Sequence, residues 1–193
     1  MKSICVFCAS GNGKNPVYGE KAFELGQQLA KKNITAVYGG AKIGVMGKLA
    51  EGVLAEKGEI IGIIPDFLKK KEIAHEELTE LITVSTMHER KALMQDKSEG
   101  FITLPGGFGT MEELFEILTW GQLGLHRKPV GILNINGYYD ALILLVDKMI
   151  EEGLLREDFK KLLIVSDSIE DLLQKMDAYV LPFVPVLDGH KIM

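Results

Sequence analysis

The chain has 193 residues, of which 47% are hydrophobic and 25% charged, and its formal net charge is −5. A chain of this length suits one domain, residues 1–193, and can bury roughly 70% of its unfolded surface without disulfides. The acidic balance argues against a nucleic-acid partner, because the densest basic run is only Lys69-Lys70-Lys71. No apolar run reaches the length of a membrane span, so we expect no membrane partner.

The N-terminal segment predicts a buried strand and not an export signal. Met1–Ser10 holds one lysine and a short apolar run, which is too little for a signal peptide. The predicted strand Lys2–Cys8 contains both cysteines, Cys5 and Cys8. Residues three apart face opposite sides of a strand, and a structural zinc would need four ligands. We therefore expect buried, reduced cysteines and a cytoplasmic protein.

Strand and helix patterns alternate along the chain. The predicted strands are Lys2–Cys8, Ile34–Tyr38, Glu59–Ile64, Leu81–Val84, Gly100–Leu104, Pro129–Asn134 and Leu162–Val165. The predicted helices are Val17–Lys32, Met46–Lys57, a segment from Met87, Glu112–Leu123, Gly137–Glu152 and Ile169–Met176. This order predicts an α/β, Rossmann-like, doubly wound fold with a mainly parallel sheet and helices on both faces.

Two segments fall outside this alternation. The charged stretch Asp66–Glu80 fits either a solvated loop or a lid over a pocket. The apolar stretch Val180–Leu187 is broken by prolines and cannot form a regular helix. We expect that tail to pack along the body of the protein or against a partner subunit.

Three glycine-rich turns follow predicted strands. The turn at Gly11-Asn12-Gly13 lacks the third glycine of the dinucleotide fingerprint, because Pro16 takes its place. The turn Gly39–Gly47 lacks the Lys-Ser/Thr of a Walker A loop. The carboxyl ends of parallel strands share one edge, where ligands bind. We therefore expect the first two turns to join the third at one phosphate-binding edge through Gly11, Gly40, Gly44 and Gly47.

The third turn, Pro105–Glu113, is the centre of the predicted site. An apolar strand precedes it and a helical pattern follows, so its glycines can bring the backbone close to an anion at a helix N-terminus. In the alternative interpretation, Thr110 is an N-cap, and Glu112 and Glu113 are ordinary first-turn partners of the helix dipole. Three glycines after a buried strand favour the anion site.

The helix after this turn is predicted to have distinct faces at about 100° per residue. One apolar stripe is expected to pack on the sheet: Met111, Leu114, Phe115 and Leu118. Glu112 and Thr119 share a flank and are expected to reach the same ligand. Glu113 and Trp120 lie opposite the stripe, which suits a pocket wall and an oligomer interface.

These residues suggest hydrolysis of the N-glycosidic bond of a nucleoside monophosphate. A single phosphate can be held without magnesium, and the sequence contains no recognisable metal or serine-nucleophile motif. A carboxylate near the sugar can stabilise an oxocarbenium-like transition state or activate water. Arg90 can hold the phosphate or stabilise charge on the departing base. Taken alone, Arg90 and Lys91 also fit surface charges; Met87, Lys91 and Met94 are predicted to share one helix face.

Three motifs together resemble those of the LONELY GUY (LOG) family. They are Pro105-Gly106-Gly107-Phe108-Gly109-Thr110-Met111-Glu112-Glu113, Met87-His88-Glu89-Arg90-Lys91 and the turn Gly39–Gly47. The resemblance covers nearly the whole chain and implies a cytokinin riboside 5′-monophosphate phosphoribohydrolase, which releases free base and ribose 5-phosphate. It implies AMP as a further substrate, no cofactor or metal, and a homodimer with the site near the subunit interface. The older family label, lysine decarboxylase, gains no support, because no pyridoxal site is recognisable.

The resemblance also implies residue roles. Arg90 and Glu113 correspond to the catalytic pair. The substrate-binding positions are Glu72, Arg90, Lys91, Gly106, Gly107, Phe108, Gly109, Thr110, Met111, Glu112 and Thr119. The alternative function is a non-catalytic carrier of a nucleotide or molybdenum cofactor on the same fold, which would need the phosphate site but not Glu113. The motifs leave open the choice between adenine and N6-prenyladenine, and between a dimer and a larger assembly.

Overall fold

Every strand in the described part of the chain belongs to one parallel sheet. The computed structural model describes residues 1–69 and 74–182. Its strands are β1 Ser3–Phe7, β2 Thr35–Tyr38, β3 Ile60–Pro65, β4 Glu80–Val84, β5 Gly100–Thr103, β6 Val130–Leu133 and β7 Leu163–Ser166. They pair in the order β4-β3-β2-β1-β5-β6-β7, and each neighbouring pair is parallel. The strand order reverses between β1 and β5, which makes that crevice the topological switch point.

Helices cover both faces of the sheet, so the predicted doubly wound α/β fold is confirmed. The described residues form α1 Val17–Lys31, α2 Gly44–Ala55, α3 Met87–Asp96, α4 Phe108–Gln122, α5 Asp140–Glu151, α6 Glu157–Lys160 and α7 Ile169–Asp177. One core cluster holds side chains of α1, α2 and α7, and the other holds side chains of α3, α4 and α5. Among the described helices, none has the length and apolar character needed to cross a membrane.

Strand β1 shows how the alternating pattern divides the core. Ile4 and Val6 belong to the cluster under α1 and α2, whereas Cys5 and Phe7 belong to the cluster under α3 and α4. Cys8, just past the strand, lies in the first cluster, on the opposite side from Cys5. Both cysteines are free and buried, as predicted. Each large apolar side chain fully buried in this way contributes roughly 1.5–3 kcal/mol relative to exposure.

Helix α4 begins earlier than predicted. Its first residue is Phe108 and not Glu112, and Gly107 is the N-cap, with extended backbone (φ −89°, ψ −154°). The predicted N-cap Thr110 therefore lies inside the first turn. Glu112 and Glu113 move to the second turn, so they are not first-turn partners of the helix dipole. Glycines usually indicate a loop, but here Gly107 is the N-cap and Gly109 lies in the first helical turn.

Helix α4 buries a face that matches the predicted one in part: Leu114 lies in the second core cluster, and Met111 and Leu118 are half-buried against it. Its buried residues are Thr110, Leu114, Ile117 and Gly121. Phe115 is 37% exposed, so its assignment to the sheet-facing stripe was wrong. Trp120 is half-buried and packs against the second core cluster, so it does not stand outward as predicted. The helix carries apolar residues on two sides, and the side with small residues can approach the sheet more closely.

Helix α5 starts later than predicted, at Asp140 instead of Gly137. Asn136 (φ 54°) and Gly137 (φ 68°) adopt left-handed conformations, which cannot continue a right-handed helix. The residues after β6 form instead a short 3₁₀ turn, Ile135–Gly137, followed by Tyr138 and Tyr139. This loop reaches back to the turn before α4.

The charged segment after β3 is only partly described. It opens with a 3₁₀ turn, Asp66–Leu68. His75 is buried, and its backbone N–H donates to the Gly40 carbonyl (3.0 Å), so this residue is not part of a solvated loop. Glu72 and most of the tail Val180–Leu187 lie outside the described residues. The lid and the packing of the tail stay predictions.

Candidate active site

A cavity of about 500 Å³ opens at the carboxyl ends of the central strands, beside the switch point. This volume is typical of small-molecule sites. Its walls come from α3, α4 and the turns after β1 and β2. The lining includes Cys8, Gly11, Gly39, Arg90, Gly107–Thr110, Glu112 and Glu113. The parallel sheet thus brings both residues of the predicted catalytic pair to one cavity.

The N-terminus of α4 supplies backbone donors to this cavity. The first intrahelical bond runs from the Met111 N–H to the Gly107 carbonyl (3.0 Å). Within the described residues, the N–H groups of Phe108–Thr110 have no acceptor. A Cβ added at Gly106 would lie 2.1 Å from the Thr110 Oγ1, so only glycine lets this turn close on the helix. These donors and the positive end of the helix dipole together favour an anion.

Arg90 reaches the cavity from α3 with only 5% of its surface exposed. Its Nε donates to the Ile63 carbonyl (3.1 Å), and its Nη2 donates to the Gly39 carbonyl (3.0 Å). Its Nη1 lies 3.9 Å from the Met87 sulfur. The ends of β2 and β3 therefore fix the guanidinium in one position. Because arginine stays protonated at any working pH, this cavity wall carries a permanent positive charge.

Glu113 lies on the second turn of α4, half-buried in the cavity lining. Its charge and that of Arg90 both act on the Cys8 thiol. Burial raises the pKa of Cys8 well above its ordinary value, Glu113 raises it further and Arg90 lowers it. The thiol therefore stays protonated and is a poor nucleophile. Of these three groups, Glu113 and Arg90 are therefore the candidates for a catalytic role.

Lys91 lies beside the cavity but outside its lining. Its Nζ donates to Glu112 Oε1 (2.5 Å) and to Glu116 Oε1 (2.9 Å), which ties α3 to α4. Burial lowers the pKa of Lys91, but the hydrogen bonds to both carboxylates outweigh this effect and raise it overall. Lys91 thus remains a cation, and it balances the charge of Glu112 at the edge of the cavity.

The face of α3 that meets the cavity differs from the predicted one. Met87, Arg90 and Met94 line the cavity, whereas Lys91 turns toward α4. Positions i, i+3 and i+7 share one helix face, so the spacing contained this information. The sequence prediction grouped Lys91 with the two methionines instead.

The glycine turn after β2 braces the turn after β1. The N–H groups of Val45 and Met46, at the start of α2, donate to the carbonyls of Gly11 (3.2 Å) and Ala9 (3.1 Å). These donors of α2 are therefore not available to a phosphate. Gly44 has φ +67°, and a Cβ there would lie 2.2 Å from the Ser10 carbonyl oxygen. Of the predicted phosphate-edge glycines, Gly11 lines the cavity, and the structure does not bring Gly40, Gly44 or Gly47 to it.

The remaining predicted substrate positions lie in different places. Phe108 is 97% exposed at the mouth of the cavity. Met111 is half-buried against the second core cluster. Thr119 is exposed, outside the lining, and its hydroxyl donates to the Phe115 carbonyl (2.7 Å). The structure therefore does not bring Thr119 together with Glu112 at the cavity.

The sequence prediction also missed several residues of the cavity and its surroundings. Met46 and Leu68 add apolar surface to the lining, and Leu68 comes from the charged segment Asp66–Glu80, for which the sequence left a solvated loop and a lid open. Tyr138 and Tyr139 hydrogen-bond to the turn that leads into α4. The available signal for the tyrosines was the turn-forming run Asn134–Gly137, which follows a predicted strand at the ligand-binding edge.

The chain has close relatives in sequence. Residues 46–176 match the model of a family described as possible lysine decarboxylase. The chain is 44% identical over 180 residues to cytokinin riboside 5′-monophosphate phosphoribohydrolase LOG2 of Arabidopsis thaliana, covering 93% of this chain and 84% of the relative. It is 47% identical over 176 residues to the probable cytokinin riboside 5′-monophosphate phosphoribohydrolase LOGL1 of Oryza sativa subsp. japonica, covering 91% and 79%.

Solved structures share the fold at lower identity. The molybdenum cofactor binding protein from Rippkaea orientalis has a TM-score of 0.67 at 22% identity, covering 92% of this chain and 97% of that one. The molybdenum cofactor carrier protein from Chlamydomonas reinhardtii has a TM-score of 0.66 at 20% identity, covering 92% and 98%. These likenesses concern the fold alone. By the family match and by sequence identity over most of its length, this chain belongs to the LOG family of cytokinin riboside 5′-monophosphate phosphoribohydrolases.

Proposed function

We propose that this chain hydrolyses the N-glycosidic bond of nucleoside 5′-monophosphates, namely cytokinin riboside 5′-monophosphates, AMP or both, to free base and ribose 5-phosphate. The observation that carries the proposal is the cavity in which the α4 N-terminus, Arg90 and Glu113 meet. Relatives at 44% and 47% identity are named for this reaction on cytokinin riboside 5′-monophosphates. The proposal requires no metal or cofactor.

The position of Glu113 along α4 supports a division of labour within the site. The phosphate would bind the free N–H groups of Phe108–Thr110 at the start of the helix. Glu113 lies five residues after Phe108 and three after Thr110, which at 1.5 Å rise per residue is about 7.5 Å and 4.5 Å along the helix axis. The carboxylate therefore does not compete with the phosphate for the same donors. This spacing supports the proposal that Glu113 acts on the sugar.

The chemistry follows from these positions. Glu113 stabilises the oxocarbenium-like sugar and takes a proton from the water that attacks the anomeric carbon. The bond from that carbon to the base nitrogen breaks, the water oxygen becomes the sugar hydroxyl, and the base leaves with the electron pair and gains, through Glu113 or solvent, the proton taken from the water. The buried Arg90 guanidinium stabilises negative charge on the phosphate or on the departing base. Glu72, Lys91 and Thr119 stay predicted substrate contacts.

We further infer a homodimer built on the outward face of α4. Phe108 and Phe115 on this helix and Leu123 at its C-cap are 97%, 37% and 40% exposed, and Thr119 lies among them. A second copy packed there would cover this apolar surface and approach the cavity mouth at Phe108.

The free, buried cysteines suit a reducing compartment, so we also propose a cytoplasmic location for this domain.

The direct test is base release by the purified wild type. AMP, N6-isopentenyladenosine 5′-monophosphate and adenosine would be incubated separately, and free base and ribose 5-phosphate would be quantified by chromatography. We expect equal amounts of base and ribose 5-phosphate from a monophosphate and little base from adenosine, which lacks the phosphate. The ratio of the two monophosphate rates identifies the preferred base.

The same experiment decides the alternative function. A carrier of a nucleotide or molybdenum cofactor would bind its ligand tightly and release no base. Binding of both monophosphates without any product would contradict the hydrolase proposal and favour the carrier.

A further inference from the structure

Two adjacent tyrosines hold the turn that leads into the anion site. The Tyr138 hydroxyl donates to the Gly106 carbonyl (2.7 Å), and the Tyr139 hydroxyl donates to the Leu104 carbonyl (2.7 Å). Tyr139 is only 1% exposed, whereas Tyr138 is 43% exposed. Both side chains come from the loop between β6 and α5, which is distant in sequence from the turn. They therefore link two neighbouring loops at the same edge of the sheet.

The hydrogen bond from the Tyr138 hydroxyl orients a backbone donor, the Gly107 N–H. The peptide unit between Gly106 and Gly107 is planar and trans, so its carbonyl and its N–H point in opposite directions. Holding the Gly106 carbonyl therefore fixes the direction of the Gly107 N–H. Among the described residues, that N–H has no acceptor, like those of Phe108–Thr110 that follow it. A glycine pair has little conformational preference of its own, so it needs an external anchor.

The hydrogen bond from the Tyr139 hydroxyl holds Leu104, where the same turn begins. Leu104 is the first residue after β5, and its N–H still donates to the Phe7 carbonyl (2.9 Å). Its own carbonyl has left the sheet ladder and is satisfied by Tyr139. Burial holds the pKa of Tyr139 well above its ordinary value, so the hydroxyl remains a donor at any working pH.

The loop that carries the tyrosines is itself held in place. The Asn134 side chain accepts the Tyr139 N–H (2.7 Å) and donates to Asp140 Oδ1 (2.7 Å). The left-handed Asn136 and Gly137 reverse the chain between them. This arrangement places two hydroxyls side by side at the end of β6, facing the turn after β5.

We propose that Tyr138 and Tyr139 are positioning residues of the phosphate subsite, which hold the Leu104–Gly107 backbone so that the N–H groups of 107–110 converge on the phosphate. This inference rests on the proposed function. The two tyrosines do not touch the substrate in this proposal; they act through the backbone of the turn.

The test separates phosphate binding from base binding without using turnover. Dissociation constants for ribose 5-phosphate and for adenine would be measured by calorimetry on the wild type, Tyr138→Phe, Tyr139→Phe and Tyr18→Phe. Tyr18 is the matched control, because its ring packs edge-on against Tyr138 and its hydroxyl has no partner among the described residues. Thermal unfolding of each variant would report whether the fold is retained.

We expect Tyr138→Phe to weaken ribose 5-phosphate binding roughly three- to tenfold, the effect of one lost hydrogen bond. Adenine binding should not change, and Tyr18→Phe should leave both constants as in the wild type. Tyr139→Phe should act in the same direction with a lower melting temperature, because the Leu104 carbonyl is buried. Unchanged ribose 5-phosphate binding in Tyr138→Phe, or equal weakening of both ligands, would overturn the inference. A wild type that does not bind ribose 5-phosphate would also overturn this inference, whereas the proposed function fails separately, if the wild type releases no base from either monophosphate.

Discussion

At the scale of single residues, the site depends on a buried cation held by backbone carbonyls. Arg90 is fixed by the carbonyls of Ile63 and Gly39, and its charge shares a cavity wall with Glu113. An arginine in this setting cannot shift without losing both hydrogen bonds. Position 39 must also carry a small residue, because the Arg90 guanidinium lies against the Gly39 backbone.

Substitution of Gly39 tests this dependence. A Cβ at this position would lie 2.2 Å from Arg90 Nη2 and 2.8 Å from the Met46 sulfur, so Gly39→Ala must displace the guanidinium. We expect kcat/KM to fall roughly 10- to 100-fold, corresponding to about 1.4–2.8 kcal/mol of lost transition-state stabilisation. The measurement is base release at several substrate concentrations.

The control is Gly19→Ala on α1, where the added Cβ would meet only the flexible Lys48 side chain at 3.3 Å. This variant should keep wild-type kinetics. Wild-type activity in Gly39→Ala would show that the position of Arg90 does not limit the reaction.

The sequence contained the identity of these residues but not their environment. Arg90 and Lys91 are adjacent charges in the sequence, yet one is buried in the cavity wall and the other is paired with α4. The difference follows from the positions of the two residues around α3. Arg90 shares a helix face with Met87 and Met94, which line the cavity, whereas Lys91 faces α4. The carbonyls that hold Arg90 belong to β2 and β3, and only the tertiary structure brings them within reach.

At the scale of elements, α4 serves three environments at once. Its N-terminus faces the cavity, Leu114 and Ile117 are buried in the core, and Phe115 lies on the outward face. A single amphipathic stripe cannot describe such a helix, which explains why Phe115 was wrongly assigned to the buried face. Its start was missed because glycines usually indicate a loop, whereas Gly107 serves as the N-cap and Gly109 lies in the first turn.

The ion-pair cluster that joins α3 to α4 gives a prediction at this scale. Lys91 is mostly buried between Glu112 and Glu116, with 11% of its side chain exposed. Glu116→Gln should lower the free energy of unfolding by about 1 kcal/mol, as expected for one charge-assisted hydrogen bond. Lys91→Met should cost more, because it leaves two carboxylates facing each other. Urea unfolding measures both values.

The control is Lys148→Met on α5, whose ion pairs with Glu151 and Glu152 are exposed. This change should have no measurable effect on stability, since exposed pairs within one helix contribute little. Equal stability of Lys91→Met and the wild type would show that the cluster does not hold the two helices together.

At the scale of the whole molecule, the order of the strands creates the site. Alternation of strands and helices in the sequence was enough to predict a parallel sheet and a ligand-binding edge. It could not predict how the three glycine turns divide their tasks, because that depends on which loops meet. In the structure, the carbonyls of Gly11 and Ala9 accept the Val45 and Met46 N–H groups of α2, whereas the first N–H groups of α4 have no acceptor among the described residues.

The proposed homodimer gives a prediction at this scale. Phe115→Glu places a charge on the outward face of α4 and should convert the dimer to a monomer, weakening association about 100-fold or more. Light scattering coupled to size-exclusion chromatography would measure the mass. Leu154→Glu is the control, since Leu154 is 84% exposed beyond the end of α5. A wild-type monomer, or a Phe115→Glu protein that still dimerises, would contradict the proposed interface.

The most direct test of the proposed mechanism compares two adjacent glutamates on α4. Glu113→Gln and Glu112→Gln would each be mixed with AMP and with N6-isopentenyladenosine 5′-monophosphate, and both base release and nucleotide binding would be measured. We predict that Glu113→Gln binds nucleotide and loses about 10²–10⁴-fold in kcat, whereas Glu112→Gln keeps kcat within about tenfold of the wild type. Base release by Glu113→Gln at the wild-type rate would contradict the assignment of Glu113 as the catalytic carboxylate.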